Sequence, residues 1–301
     1  MKHTRFSFPL ALMTSVALLF SCQKAFVEED GQSGNSEGDL VTFKLRVAQL
    51  EEQPFEVTSY AGRSTDISSL CSRVSMAVYQ KGEKVKQINQ LTGDSDFGTL
   101  SIALPAGNYQ MLVLAYGGSN TASMAHADKV TFGGKLSDIF CYADSLHLDG
   151  NTSENLVLRR MVAMFRLVTT DSIPVQVHSM QFAYTGGSST LDGIKGEGCV
   201  QSRQKETLVV DEKMKGKPGS FTVYTFPRQG SNSLKMTVSA LDANGKVLVE
   251  REFPSVAIHR NVITQYKGRF FTDKTIETPT DSTSHFKLIT NDEWGENDVA
   301  F

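Results

Sequence analysis

Helical periodicity is what this chain most conspicuously lacks. Nowhere in its 301 residues does a long stretch repeat its apolar positions every 3.6 residues. A helical bundle is therefore excluded, and so is a coiled coil. Tryptophan occurs once, at Trp294, and proline only eight times. Charge of one sign is also scarce. Lys and Arg number 30 against 33 Asp and Glu, a formal net charge of −3. Such a balance offers no electrostatic footprint for nucleic acid, and none is expected as a partner. No apolar run of about 18 residues follows residue 21, so no spanning helix is expected there.

The motifs of catalysis and metal binding are equally sparse. None of the six histidines stands at metal-ligand spacing from another. Asp94-Ser95-Asp96 begins like a calcium loop, but Phe97 and Gly98 fall out of register and no glutamate closes it. Gly193, Gly196 and Gly198 do not fit a dinucleotide fingerprint. Ser202 and Lys205 match S-x-x-K without its partner motifs. We therefore expect no catalytic residue, no metal and no cofactor, and a protein that is not an enzyme.

What is present begins at the N-terminus. Lys2 and Arg5 precede an apolar stretch from Phe6 to Phe20, the order of an export signal. Residues 1–21 read as a signal peptide that ends Leu19-Phe20-Ser21-Cys22. This ending resembles the bacterial lipoprotein processing site. The resemblance implies cleavage between Ser21 and Cys22 and acylation of Cys22, palmitate included. Several acyl chains on one residue hold a protein stably on a membrane, where one does not. Residues 22–39 are polar, acidic and rich in Gly and Ser, the composition of a flexible linker. Glu28-Glu29-Asp30 resembles signals that send lipoproteins to the outer cell face. Beyond Cys22, an odd set of cysteines remains: Cys71, Cys141 and Cys199. A Cys71–Cys141 bridge is open to them, with three unpaired thiols as the alternative.

From residue 40 the pattern has a period of two. Val41, Phe43, Leu45 and Val47 alternate with polar residues, the signature of a half-buried strand. Further strands follow at Val74–Val78, Leu100–Leu104, Tyr109–Tyr116 and Ser145–Leu148, then at Val177–Tyr184, Leu234–Leu241 and Val262–Phe271. Gln80–Glu83 and Asp242–Gly245 read as hairpin turns. Leu156–Thr169 reads as one unusually long strand crossing between domains. Residues 117–138 and 185–203 read as loops rich in small residues. Many short strands with turns between them predict an all-β protein of two sandwiches, at 40–158 and 159–301. The second would carry a strand-like C-terminal tail.

Several segments taken in order resemble one family. Leu104-Pro105-Ala106-Gly107-Asn108-Tyr109 is similar to the turn that starts a strand in transthyretin-like sandwiches. Leu158-Arg159-Arg160-Met161-Val162-Ala163-Met164-Phe165 resembles the entry to the second domain of fimbrillins. Arg260-Asn261-Val262-Ile263-Thr264-Gln265-Tyr266-Lys267-Gly268-Arg269-Phe270-Phe271 resembles a pattern near the C-terminus of fimbrial proteins. Together with Cys22, these segments resemble the fimbrillin-associated anchor family of Gram-negative gut and oral anaerobes.

The resemblance implies two transthyretin-like sandwiches in tandem. It also implies an outer-membrane lipoprotein, surface-exposed, that anchors or caps fimbriae. Its partners would be fimbrial shaft subunits, and contact would be made by β-strand addition. The candidate exchange segments are the first strand, with Val41, Phe43, Leu45 and Val47, and the C-terminal segment, with Phe286, Leu288 and Trp294. Shaft subunits of this type open a groove by proteolysis after an arginine, and Arg46 and Arg63 lie in that region. A cut at either would sever Cys22, so an anchor is expected to keep its first strand. The competing expectations are a fimbrial tip or accessory adhesin, and a glycan-binding surface lipoprotein that uses Tyr60, Tyr116, Tyr142 or Tyr184.

Overall fold

In the computed structural model, the structure describes residues 40–51 and 67–272, and the backbone of 287–290. The architecture is all-β, with a single 3-10 turn at Ile67–Ser69 among the described residues.

The first strand is β1 (Leu40–Leu50). It is followed by β2 (Arg73–Gln80), β3 (Glu83–Leu91), β4 (Thr99–Pro105) and β5 (Gly107–Tyr116). Strands β6 (Ser123–His126) and β7 (Lys129–Thr131) are short, and the long β8 (Ile139–Leu148) and β9 (Thr152–Arg160) complete the first half. The long strands form a sheet in the order β3-β2-β5-β8-β9-β1-β4, folded on itself between β8 and β9. Its two leaves enclose a core that includes Phe43, Leu45, Met76, Val113, Phe140 and Leu158. The β2–β3 turn is tight because Lys81 and Gly82 both take positive φ, 52° and 84°.

The second half begins with β10 (Ala163–Thr169) and β11 (Ser179–Thr185), followed by two short strands, β12 (Thr190–Asp192) and β13 (Glu197–Gly198). Then come β14 (Arg203–Val209), β15 (Ser220–Thr225), β16 (Ser233–Leu241), β17 (Val247–Ala257) and β18 (Ile263–Gly268). Two sheets result, β14-β11-β16-β17 and β15-β10-β18, with β19 (Lys287–Thr290) added outside β18. Phe165 lies at the centre of their shared core, its ring within 6.2 Å of Phe182, Phe253 and Tyr266.

The two sandwiches share one topology. In each, the first strand lies between an antiparallel neighbour and a parallel one: β1 between β4 and β9, β10 between β15 and β18. The opposing sheets also correspond, as β3-β2-β5-β8 and β14-β11-β16-β17.

Two segments read as loops are in fact structured. Residues 117–138 contain β6 and β7, and residues 185–203 contain β12 and β13. Neither segment could close a sheet alone. They pair with each other, with Thr190 opposite Thr131 and Leu191 opposite Val130. This small sheet covers the outer face of β2, β5 and β8, where Tyr79, Leu112, Leu114 and Ile139 form a third core with Val130, Leu191 and Phe226.

The long strand expected over Leu156–Thr169 is broken at Met161–Val162. Both residues are buried in the third core, and the chain steps there from one sandwich to the other. The thiols of Cys71 and Cys141 are not bridged. Cys71 lies in the first core and Cys141 on the opposite face of the same sheet. Burial, with Asp192 nearby, pushes the Cys141 thiol up to about 12, so it is inert at neutral pH.

Asp171 closes the far end of the second sandwich. Its carboxylate accepts hydrogen bonds from the backbone N–H groups of Phe270, Phe271 and Thr272 at 2.9, 2.7 and 2.9 Å, and from Thr272 Oγ1 at 3.0 Å. Partial burial favours the neutral acid, but these four donors outweigh it and lower the pKa below 3.8. A carboxylate with a depressed folded-state pKa stabilises the fold above its unfolded value, and that contribution is lost as pH falls through the folded value. Asp171→Asn should therefore destabilise the protein at pH 7 and flatten the acid limb of its stability curve below about pH 4. Urea midpoints across pH 2–7 read this directly. Parallel curves for the two proteins would show that the carboxylate contributes nothing.

Candidate functional site

Strand β1 is the first described element, and its sequence dictates how it sits. Phe43, Leu45 and Val47 point into the first core, while Lys44 and Arg46 face solvent. Val41 is half-buried against the same core. Leu45 stands opposite Leu100 of β4 on one side and Glu154 of β9 on the other. The strand is thus held along both edges, and extracting it would open a groove between β4 and β9. Arg46 has an exposed side chain, but its backbone lies in register with both neighbours, Thr99 and Asn155.

Of the C-terminal candidates, Leu288 lies in β19, opposite Tyr266 of β18. Ser21, Cys22, Arg63, Phe286 and Trp294 lie outside the described residues, as does Tyr60. The aromatics considered for glycan stacking are mostly unavailable. Tyr116 is buried and accepts a hydrogen bond from the Ala122 N–H, and Tyr184 is buried and donates to Glu206 Oε1 at 2.6 Å. Only Tyr142 reaches a surface cleft, half-buried, with its hydroxyl donating to Asp144 Oδ2 at 2.9 Å.

The far end of β1 leads into a cluster of charged and polar side chains. Arg160 is fully buried. Its guanidinium makes a two-pronged contact with Asp138, Nε to Oδ1 at 2.7 Å and Nη2 to Oδ2 at 2.9 Å. Nη1 donates to Asn261 Oδ1 at 2.9 Å, and the group lies 4.8 Å from the Phe140 ring centroid. Glu51, just past β1, accepts from the Arg160 N–H at 3.1 Å and pairs with Arg260 at 2.8 Å. Arg260 also donates to the Arg160 carbonyl at 2.7 Å.

Asn261 takes φ 63°, in the left-handed region that asparagine tolerates, and its N–H donates to the Val162 carbonyl at 2.9 Å. Two segments that carried the family resemblance, around Arg160 and around Arg260-Asn261, therefore meet and join the sandwiches. Sequence reasoning missed the other partners, Glu51 and Asp138. Each is a single carboxylate in an unpatterned stretch.

The fold defines a protein of two like sandwiches locked at a buried arginine, with its first strand seated. The sequence matches the family of unknown function DUF6562 over residues 35–282, and the chain belongs to that family. No curated protein matches it. Among solved structures, it is similar to a candidate adhesin from Bacteroides ovatus, at 11% identity and a TM-score of 0.47, over 77% of this chain and 91% of that one. A candidate polysaccharide-binding protein from Bacteroides thetaiotaomicron is similar at 9% identity and a TM-score of 0.45, over 76% and 92%. The tip fimbrial protein Mfa3 from Porphyromonas gingivalis is similar at 11% identity and a TM-score of 0.41, over 84% and 99%. Fimbrial proteins are thus among the structures to which the chain is similar, the class its sequence motifs resemble.

Proposed function

We propose that the protein is a surface lipoprotein, held in the outer membrane through Cys22, that anchors or caps fimbriae. Its two sandwiches, divided at residues 158 and 159, present the far end of the molecule to a fimbrial subunit. Subunit contact is made by β-strand addition, in which backbone hydrogen bonds supply affinity and alternate side chains supply specificity. The observation that carries this reading is the seating of β1. The chain runs from Cys22 through residues 23–39 straight into a strand held along both edges. Force applied at the lipid would meet two hydrogen-bonded ladders in shear, so tension would not unravel the sandwich from its end. A retained β1 also keeps the tether covalent, since cleavage after Arg46 or Arg63 would part Cys22 from everything that follows.

The test is Cys22→Ala in cells that make fimbriae. Fimbriae should leave the cell surface and collect in the medium, and the variant protein should leave the membrane fraction. Fimbriae still attached at normal length would rule out anchoring. N-terminal analysis of the mature cell-bound protein gives a second check. It should begin at Cys22, and a start after Arg46 or Arg63 would remove the tether argument altogether.

A further inference from the structure

The repeat of one topology in both sandwiches exposes a difference between them. Strand β18 is the counterpart of β9, since each pairs in parallel with the first strand of its own sandwich. On its outer edge, β18 carries β19, antiparallel, with Thr264 opposite Thr290 and Lys267 opposite Lys287. Among the described residues, the outer edge of β9 carries no such strand. It meets β8 only at Phe140 opposite Arg160 and Cys141 opposite Arg159, although these two strands are joined by a short turn. Continued in the same register, Tyr142 would face Leu158 and Ser145 would face Asn155. Among the described residues no such pairing exists, so β8 and β9 splay apart over most of their length.

Between the splayed edges lies a cleft of about 900 Å³, lined by both strands and overhung by Gly193–Gly196. A strand pairs with its neighbour at about 4.8 Å, so the cleft offers an extended segment a place beside β9. The N–H and C=O groups along the outer edge of β9 are of the kind that template strand pairing. The side chains around the cleft suit an extended peptide. Val157 and Ile194 are large apolar residues left 49% and 42% exposed there. Glu154 is an exposed carboxylate at the cleft, on the face of β9 that also carries the buried Leu156, an arrangement that discourages indiscriminate pairing. A tail that enters must set a polar or basic side chain against it.

We propose that the outer edge of β9 is a strand-acceptor site, and that its occupant is an extended tail of a neighbouring fimbrial subunit, of the same kind as β19. The tail lies antiparallel to Thr152–Leu158. The site is the subunit contact of the anchoring role and rests on that role for the identity of its partner. It also reconciles strand addition with a seated β1, because no described strand has to be removed to reach the acceptor edge.

The probe is a synthetic peptide of residues 283–292 of this chain, added to the full mature protein in detergent. Saturable binding is expected, with slowed amide exchange at residues 153–158. Methylating the peptide's backbone amides at alternate positions distinguishes strand pairing from side-chain docking. One alternate set should weaken binding by roughly tenfold or more, the loss of about two backbone hydrogen bonds, and the other set should be tolerated.

Failure to bind at millimolar peptide overturns the proposal. So does equal tolerance of both methylated sets, or protection confined to residues 263–268, where the peptide would merely have replaced β19. Saturable binding of a mucin oligosaccharide pool that slows amide exchange at residues 153–158, with no binding of the peptide, would overturn the proposal and assign the cleft to glycan instead. If the site fails while Cys22→Ala still releases fimbriae, the acceptor site alone is lost and the anchoring role stands.

Discussion

Arg160→Met should cost about 3–5 kcal/mol of folding stability, the typical loss when one partner of a buried ion pair is removed. The guanidinium is fully buried, and Asp138, its main partner, is only 15% exposed at the side chain. Methionine fills much of the volume and stacks on Phe140, but it leaves the Asp138 carboxylate and Asn261 Oδ1 without their donors. The stranded charge is the larger part of the loss. A second substitution tests this reasoning. Arg160→Met combined with Asp138→Leu removes both charges and should recover much of the stability, because the desolvation cost of the pair goes with it.

Urea denaturation of the two single variants and the double variant gives the coupling directly. A single-variant loss within about 0.5 kcal/mol, as at an ordinary surface site, would show that the cluster does not hold the sandwiches together. The effect should also be spread over both halves. Arg160 ties Asp138 in the first half to Asn261 in the second, and its main chain carries Glu51 and Arg260.

Leu45→Pro should disrupt the first sandwich. Proline in a central strand removes a ladder hydrogen bond, and its ring is tolerated only at edges, at a cost of about 3 kcal/mol or more. Leu45 has neighbours on both sides and a fully buried side chain, so no edge is available to absorb the change. Limited proteolysis should reveal new cleavage within residues 67–160 before any within 163–268. The equivalent proline at an exposed position of an edge strand, Val85→Pro in β3, serves as the comparison and should be far milder. Equal effects would mean that β1 is an accessory strand, and the argument that it transmits force from Cys22 would fall with it.

The strands themselves were legible because their residues alternate. β1, β4, β10 and β11 each bury every second side chain, and the pattern Val41-Phe43-Leu45-Val47 states this in the sequence. The hairpins at Lys81-Gly82 and Asn244-Gly245 were legible for a local reason too, the positive φ that such turns demand. A signal for the third core was also present. Met111–Tyr116 is apolar without alternation, as a strand buried on both faces must be. What covers that second face was not legible. The covering strands β7 and β12 are three residues each, too short to show a period, and they find their partners some sixty residues apart.

The polar cluster behaves in the same way. Arg160 and Asn261 stood out as parts of motifs, but nothing local distinguishes Asp138 or Glu51 from other carboxylates. Local chemistry, the period of side chains and the turn residues, determines an all-β chain. Tertiary structure alone decides that β1 is clamped on both edges, that Arg160 pairs with Asp138 of its own sandwich and bonds Asn261 of the other, and that among the described residues β9 meets β8 at only two residue pairs. Each of these depends on which distant segments meet, and a hydrogen bond or ion pair between residues far apart in the chain leaves no periodic trace in either one.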